Sequence, residues 1–358
     1  MRLFVCLSLL ALSSFSTASA VRQIHTIAGT GTAGYSGDGG PSDRAQVANP
    51  YGLARGPDGA LYVCEVDNHV VRRIGKDGVI STVVGTGRRG YGGDGGPARM
   101  ATMNEPYEIR FDSHGNMLVV EMRNHLVRHI DMANGRISTL AGTGQAGFAG
   151  DGGPAAKGQF NQPHSLQLDS AGNIYICDIG NNRIRRVSAQ GRILTTFAGT
   201  GDRGPTPDGA PFSTVPLRGP RALDFAPDGT LWLALREGNA IYKLDLKKGT
   251  LQHAAGTGAQ GFSGNGGPAK VAKLSGPKGL SLGPDGHVYF ADTESHSLRM
   301  LDVKKGTVEL VAGTGERGDG PEPNPLQCRM ARPHGIFVDI DGSIYVGDSE
   351  AHRVRVIR

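Results

Sequence analysis

The tripeptide Gly-Thr-Gly begins at Gly29, Gly85, Gly142, Gly199, Gly256 and Gly313, six copies separated by 56, 57, 57, 57 and 57 residues. A fixed period of that size limits the chain to a solenoid, a propeller or an array of small modules. Every copy has the same internal order. A glycine-rich loop comes first, as in Ser36–Pro41, Gly92–Pro97, Ala149–Pro154 and Ser263–Pro268. A proline then opens a short apolar run, at Pro50, Pro106, Pro163, Pro220, Pro277 and Pro333. Turns such as Pro57-Asp58-Gly59 separate it from a second run (Leu61–Cys64), an alternating third (Val70–Ile74) and a fourth (Ile80–Val84) that meets the next tripeptide. These are four short β-rich runs per copy, punctuated by turn residues. Composition agrees: 56 of 358 residues are Gly, about double ordinary usage, and each helix-interior glycine costs about 1 kcal/mol.

Six units of four antiparallel strands predict an all-β fold, a six-bladed β-propeller. The last copy stops after its third strand, while Gln23–Ala28 matches the fourth strand of other copies, such as Arg136–Ala141. The N-terminal strand is therefore expected to close the ring, which removes an open sheet edge. Residues 1–20 stand apart: Arg2, the apolar run Leu3–Leu12 and the small residues Ala18-Ser19-Ala20 read as a signal peptide cleaved before Val21. The propeller then occupies residues 21–358, secreted or periplasmic, with no membrane span, because the apolar run is shorter than the ~20 residues a span needs. The formal charge of +5 is mild, and an exported chain is expected to meet no nucleic acid; a monomer acting on an extracellular or periplasmic ligand or protein is expected instead. Three cysteines outlast cleavage, Cys64, Cys177 and Cys328; the odd number leaves at least one unpaired or bonded to another chain, and all three read as small core hydrophobes.

The patterns Pro-x-Gly-Leu (Pro50–Leu53), Gly-Asn-x-Tyr with a following Asp (Gly172–Asp178) and Asn-x-Arg-Ile-Arg (Asn181–Arg185) together resemble the NHL repeat. The Ala-Gly-Thr-Gly loop form is similar to exported bacterial NHL proteins and to the NHL propeller of teneurins. The resemblance covers the whole mature chain and implies a fold; the family includes binding propellers, sensor domains and some enzymes.

In a propeller the first strand of each blade lines the channel, so matched positions form rings of six. The residue after each opening proline gives Tyr51, Tyr107, His164, Arg221, Lys278 and His334, a set that either fills one channel mouth or contacts a ligand there. Arg221 and Lys278 suit an anionic group. A second ring, Glu65, Glu121, Asp178, Leu235, Asp292 and Asp348, recurs so regularly that a structural role is expected, with Arg72, Arg128, Arg185, Arg299 and Arg355 as partners. Blade four departs from the pattern with Leu235, the lone Trp232 and an irregular loop over Thr206–Pro216. A ligand- or protein-binding module without a cofactor is expected.

The alternative is a metal-dependent lyase or hydrolase. Pro163-His164 and Pro333-His334 resemble the Pro-His segments of peptidyl-hydroxyglycine amidating lyase, whose relatives hold zinc with three such histidines. Here Tyr51 and Lys278 occupy the alternating positions that would partner His164, so His164 and His334 are an incomplete metal set. Resemblance to gluconolactonase-type propellers implies calcium on channel acids, for which the acid ring is the candidate. The Gly-Asp-Gly-Gly loops need only tight turns with positive-φ glycines.

Overall fold

The computed structural model describes residues 22–358, so the expected signal peptide lies outside the described residues. Six separate antiparallel sheets follow in chain order, four of them with sequential strand order from the axis outward; the sheet of blade five gains the short outer strand Gly267–Pro268, and that of blade six takes its outer strand from the N-terminus. The six inner strands are Pro50–Arg55, Pro106–Phe111, Pro163–Leu168, Pro220–Phe225, Pro277–Leu282 and Pro333–Val338. Blade six is completed by Ile24–Ala28, which pairs with Arg353–Ile357. The ring is closed as the strand count requires. Among the described residues no helix is long and apolar enough to cross a membrane.

Apolar faces of neighbouring blades pack against each other. Tyr62, Cys64 and Val71 of blade one, for example, meet Ile109, Met117 and Val119 of blade two in a fully buried cluster. All three described cysteines are free and buried. The glycine-rich loops cover the outer edges. Pro41, Pro97, Pro154 and Pro211 each form a β-bridge to the outer strand of the blade that follows, and Gly39, Gly95 and Gly152 donate N–H bonds to Ile80, Leu194 or their equivalent carbonyls. A Cβ at Gly39, Gly95 or Gly152 would have free space, but φ is 80° to 83° there, which disfavours any other residue. The loops thus serve as edge protection.

The acid ring is a set of braces. Glu65, Glu121, Asp178, Asp292 and Asp348 are fully buried and pair with Arg72, Arg128, Arg185, Arg299 and Arg355 at 3.1, 2.9, 3.4, 3.2 and 2.9 Å. Each acid also accepts the backbone N–H of a residue shortly before the inner strand, Ala48, Asn104, Asn161, Ser275 or Ala331. Aromatic rings of the glycine-rich loops lie over four of the guanidinium groups, Tyr35, Tyr91, Phe148 and Phe262 at 4.7 to 5.5 Å. Blade four replaces the brace with apolar packing: Leu235 and Tyr242 sit in one cluster with Leu217 and Val215, and the Tyr242 hydroxyl donates to the carbonyl of Thr206.

Candidate site at the channel mouth

Each inner strand begins with a bulge. Pairing to the second strand slips between Pro163 and Ser165, and equivalently in the other five blades. The extra residue is the one after the proline, and a bulge re-aims its side chain. That is how Tyr51, Tyr107, His164, Arg221, Lys278 and His334 come to share one mouth of the channel.

A second ring fixes the first. The residue before each proline is left-handed: Asn49, Glu105, Gln162, Gly219, Gly276 and Arg332, with φ between 47° and 67°. Its N–H donates to a side chain of the preceding blade in every case. The acceptors are Nδ1 of His352, His69, His125 and His296 at 3.0 to 3.3 Å, and Oδ1 of Asn182 and Asn239 at 3.3 and 2.9 Å. Six clasps therefore join six blades in a closed circuit. A protonated imidazole has no acceptor, and burial holds His69, His125 and His296 below their ordinary value. A lowered histidine favours the neutral folded form, so stability is present above about pH 6.5 and is lost as pH falls through the folded values. The melting temperature is expected to drop between pH 7 and pH 5. The variant H69N/H125N/H296N/H352N, which copies Asn182 and Asn239, is expected to flatten that drop; equal slopes in both proteins would remove the clasps from the explanation.

The predicted ring residues touch one another. The His334 ring stacks on Tyr51 at 3.9 Å; Tyr51 meets Tyr107 edge-on at 4.7 Å, and Tyr107 meets His164 edge-on at 4.6 Å. The Arg221 guanidinium lies over the Tyr107 ring at 4.9 Å. Lys278 Nζ is 2.8 Å from Glu294 Oε1 and donates to His334 Nε2 at 3.1 Å. Burial, with Arg221 adding, brings the Lys278 ammonium down to about 7, while Arg332 and Lys278 hold the Glu294 carboxyl at about 2 against its own partial burial. His334 donates from Nδ1 to the Arg332 carbonyl at 2.9 Å and is held well below its ordinary value by burial and by Lys278. Arg221 is 5% exposed, and its Nη1 has no hydrogen-bond partner.

His164 and His334 are not brought together. Two tyrosines stand between them along the ring, and the Nε2 of His334 already accepts from an ammonium group. Among the described residues no group of three His, Cys, Asp or Glu side chains is placed to hold a metal ion. The acid-ring carboxylates, candidates for calcium, are instead taken up by arginine and backbone N–H groups.

Deeper in the channel lies a polar group that a single-ring reading overlooks. Glu108 pairs with Arg110 at 2.5 Å, and Asp224 accepts from Gln167 at 2.6 Å and from the Leu282 N–H at 2.8 Å. Burial raises both carboxyls. The signal was present two residues after the opening proline, where other copies carry Gly52, Ser165, Ala222, Gly279 and Gly335, and four residues after it, where Arg110 and Gln167 stand beside Ala54, Ser281 and Phe337.

Around the rim the mouth is uneven. On the side of blades five and six, Lys278, Glu294, Arg332, Glu350 and Arg317 form one chain of ion pairs at 2.7 to 2.8 Å. Between blades three and four, a recess of about 470 Å³ is lined by His164, Arg203, Arg218, Arg236 and Glu237.

A model of the NHL repeat matches residues 160–187 and 330–357. Protein SUPPRESSOR OF QUENCHING 1, chloroplastic, of Arabidopsis thaliana is 28% identical over 273 residues, 72% of this chain and 25% of that protein. NHL repeat-containing protein 2 of Gallus gallus is 29% identical over 283 residues, 70% of this chain and 38% of that one. Teneurin-1 of Mus musculus is 25% identical over 353 residues, 89% of this chain and 12% of its own length. The chain thus spans well under half of each of these relatives. An auxiliary nutrient binding protein from Bacteroides thetaiotaomicron superposes with a TM-score of 0.69 at 18% identity, covering 94% of this chain and 76% of that one. A gluconolactonase from Xanthomonas campestris gives 0.58 at 14% over 87% and 86%, and a catalytically inactive virginiamycin B lyase from Staphylococcus aureus 0.53 at 19% over 88% and 82%. At these identities the superpositions speak for the fold alone.

Proposed function

Because the chain is an NHL-repeat protein folded as a six-bladed β-propeller, we propose that it is an exported binding module whose ligand sits at the channel mouth, with an acidic group at Arg221 and Lys278. One observation carries the reading: a buried guanidinium in the ring lacks a partner for Nη1, beside an ammonium already lowered to about 7. A buried cation without its counter-charge costs stability; a ligand anion offsets that cost. The leader-like residues 1–20 and the fold shared with a nutrient-binding protein support a secreted or periplasmic setting. The competing reading, a metal-dependent lyase or hydrolase, needs His164 and His334 on one ion, and nothing in the ring's geometry favours it.

Calorimetry with a panel of small carboxylates and phosphates is expected to give a ligand whose affinity falls at least tenfold in Arg221→Gln and in Lys278→Gln. For wild type, affinity is expected to weaken as pH rises past about 7, where Lys278 loses its proton. Arg221→Met is expected to stabilise the unliganded protein by about 1–3 kcal/mol, since it removes an unpaired buried charge. Unchanged affinity in both glutamine variants would exclude the ring as the site.

A further inference from the structure

We infer that the ligand is a hydroxylated acid of monosaccharide size, a sugar acid or a sugar phosphate, seated off the axis in the recess between blades three and four. The inference rests on the mouth being the binding site, and extends the cations that meet the acid from Arg221 and Lys278 in the ring to the arginines of the recess that shares His164 with it.

The recess is cationic where the repeat breaks down. Five blades carry Ala48, Asn104, Asn161, Ser275 or Ala331 at the position shortly before the inner strand, and blade four carries Arg218. In those five blades a buried carboxylate holds the backbone N–H of that residue; blade four has Leu235 in the carboxylate's place. The residue after Leu235 is Arg236, where other blades have Val66, Met122, Ile179, Thr293 or Ser349. Arg203 completes the lining. Among the described residues only Arg236 of these three arginines is paired, to Glu237 at 2.7 Å. The ion pairs on the side of blades five and six set Lys278, Arg332 and Arg317 against Glu294 and Glu350, whereas the recess sets three arginines against Glu237 alone, so the larger surplus of positive charge at the mouth lies by blade four and steers an anion there. Arg221 does not line the recess; it follows His164 in the ring, two residues on from Gly219 of the lining, and keeps its buried Nη1 there.

The hydroxyl requirement comes from His164. Its Nδ1 lies 2.7 Å from the Gln162 carbonyl, and a carbonyl only accepts, so Nδ1 carries the proton. In the neutral ring Nε2 then keeps a lone pair, so this residue of the lining offers an acceptor for a donor on the ligand. Glu237 offers a second acceptor. Asn182 is already engaged at both ends, donating to the Gly201 carbonyl and accepting from the Gly219 N–H. The lining thus supplies guanidinium groups for an acid and acceptors for hydroxyls, and Ile179 is its one sizeable apolar side chain. A volume of about 470 Å³ is within the range of small-ligand sites.

Calorimetry on the purified protein with D-galacturonate, D-glucose 6-phosphate, D-glucose, acetate and inorganic phosphate tests this. One of the two acid sugars is expected to bind at least tenfold tighter than glucose, acetate and inorganic phosphate, and which of them does so separates carboxylate from phosphate recognition. Arg203→Gln and Arg218→Gln, both exposed, are expected to weaken that binding at least tenfold with unchanged melting temperature. Equal binding of glucose, or no binding of either acid sugar at 10 mM, would overturn the ligand class. Loss of binding in Arg221→Gln with none in Arg203→Gln and Arg218→Gln would overturn the recess and leave the ring reading intact. The reverse pattern would sink the ring reading and keep the recess.

Discussion

Arg128→Ala is expected to destabilise the protein by about 3–5 kcal/mol, because it leaves the Glu121 carboxylate buried without its counter-charge. The guanidinium is fully buried between Glu121 at 2.9 Å, Asp94 at 2.7 Å and the Tyr91 ring at 5.4 Å, so water cannot replace it. Blade four shows what the alternative looks like. Leu235 and Tyr242 take the places of the acid and the arginine and pack into a continuous apolar cluster. The double variant Glu121→Leu/Arg128→Tyr is therefore expected to cost far less than the sum of its single changes, with a coupling of about 2–3 kcal/mol in a double-mutant cycle by urea unfolding. Additive effects would mean that the pair does not act as one unit.

Ile24→Ala is expected to cost about 2–5 kcal/mol, as much as truncating any core residue, although it lies on the strand at the very start of the described chain. Ile24 is fully buried against Tyr289, Ile344 and Ile357 of blades five and six. The strand is also held by Thr26, which donates its N–H at 3.1 Å and its hydroxyl at 2.7 Å to Glu322. Losing this grip frees the outer edge of blade six. Urea unfolding of Ile24→Ala beside Ile137→Ala, the matching position in blade two, makes the comparison; a cost below about 1 kcal/mol for Ile24 alone would mean that the closing strand is dispensable.

Strand count, blade count and ring closure could be read from the sequence because a period of 57 residues is a one-dimensional signal. The six residues after the prolines were legible for the same reason, as were the acids and arginines of the braces. What the period does not carry is contact between copies. His69, His125, His296 and His352 each reach the next blade's backbone, and that reach depends on how far one blade rotates against another. Glu108 and Asp224 escaped notice because each occurs once: the counterparts of Glu108 are glycine, serine or alanine, and those of Asp224 are as mixed as Ala54, Arg110, Gln167, Ser281 and Phe337. The recess was half visible. Leu235 and the irregular loop marked blade four as exceptional, while Arg218 and Arg236 acquire meaning only once their equivalents in other blades are seen buried or braced.

The three buried thiols have a consequence for how the protein tolerates its surroundings. Cys64 and Cys177 lie in second strands of blades one and three, and Cys328 lies in the connector to blade six. Burial raises all three above the ordinary thiol value, so none is present as the thiolate that oxidants and alkylating agents attack. None of the three is in a disulfide, so the packing of the described residues does not depend on one. Burial thus shields each thiol while the ring is closed, and opening of the blade around it exposes the thiol to oxidants.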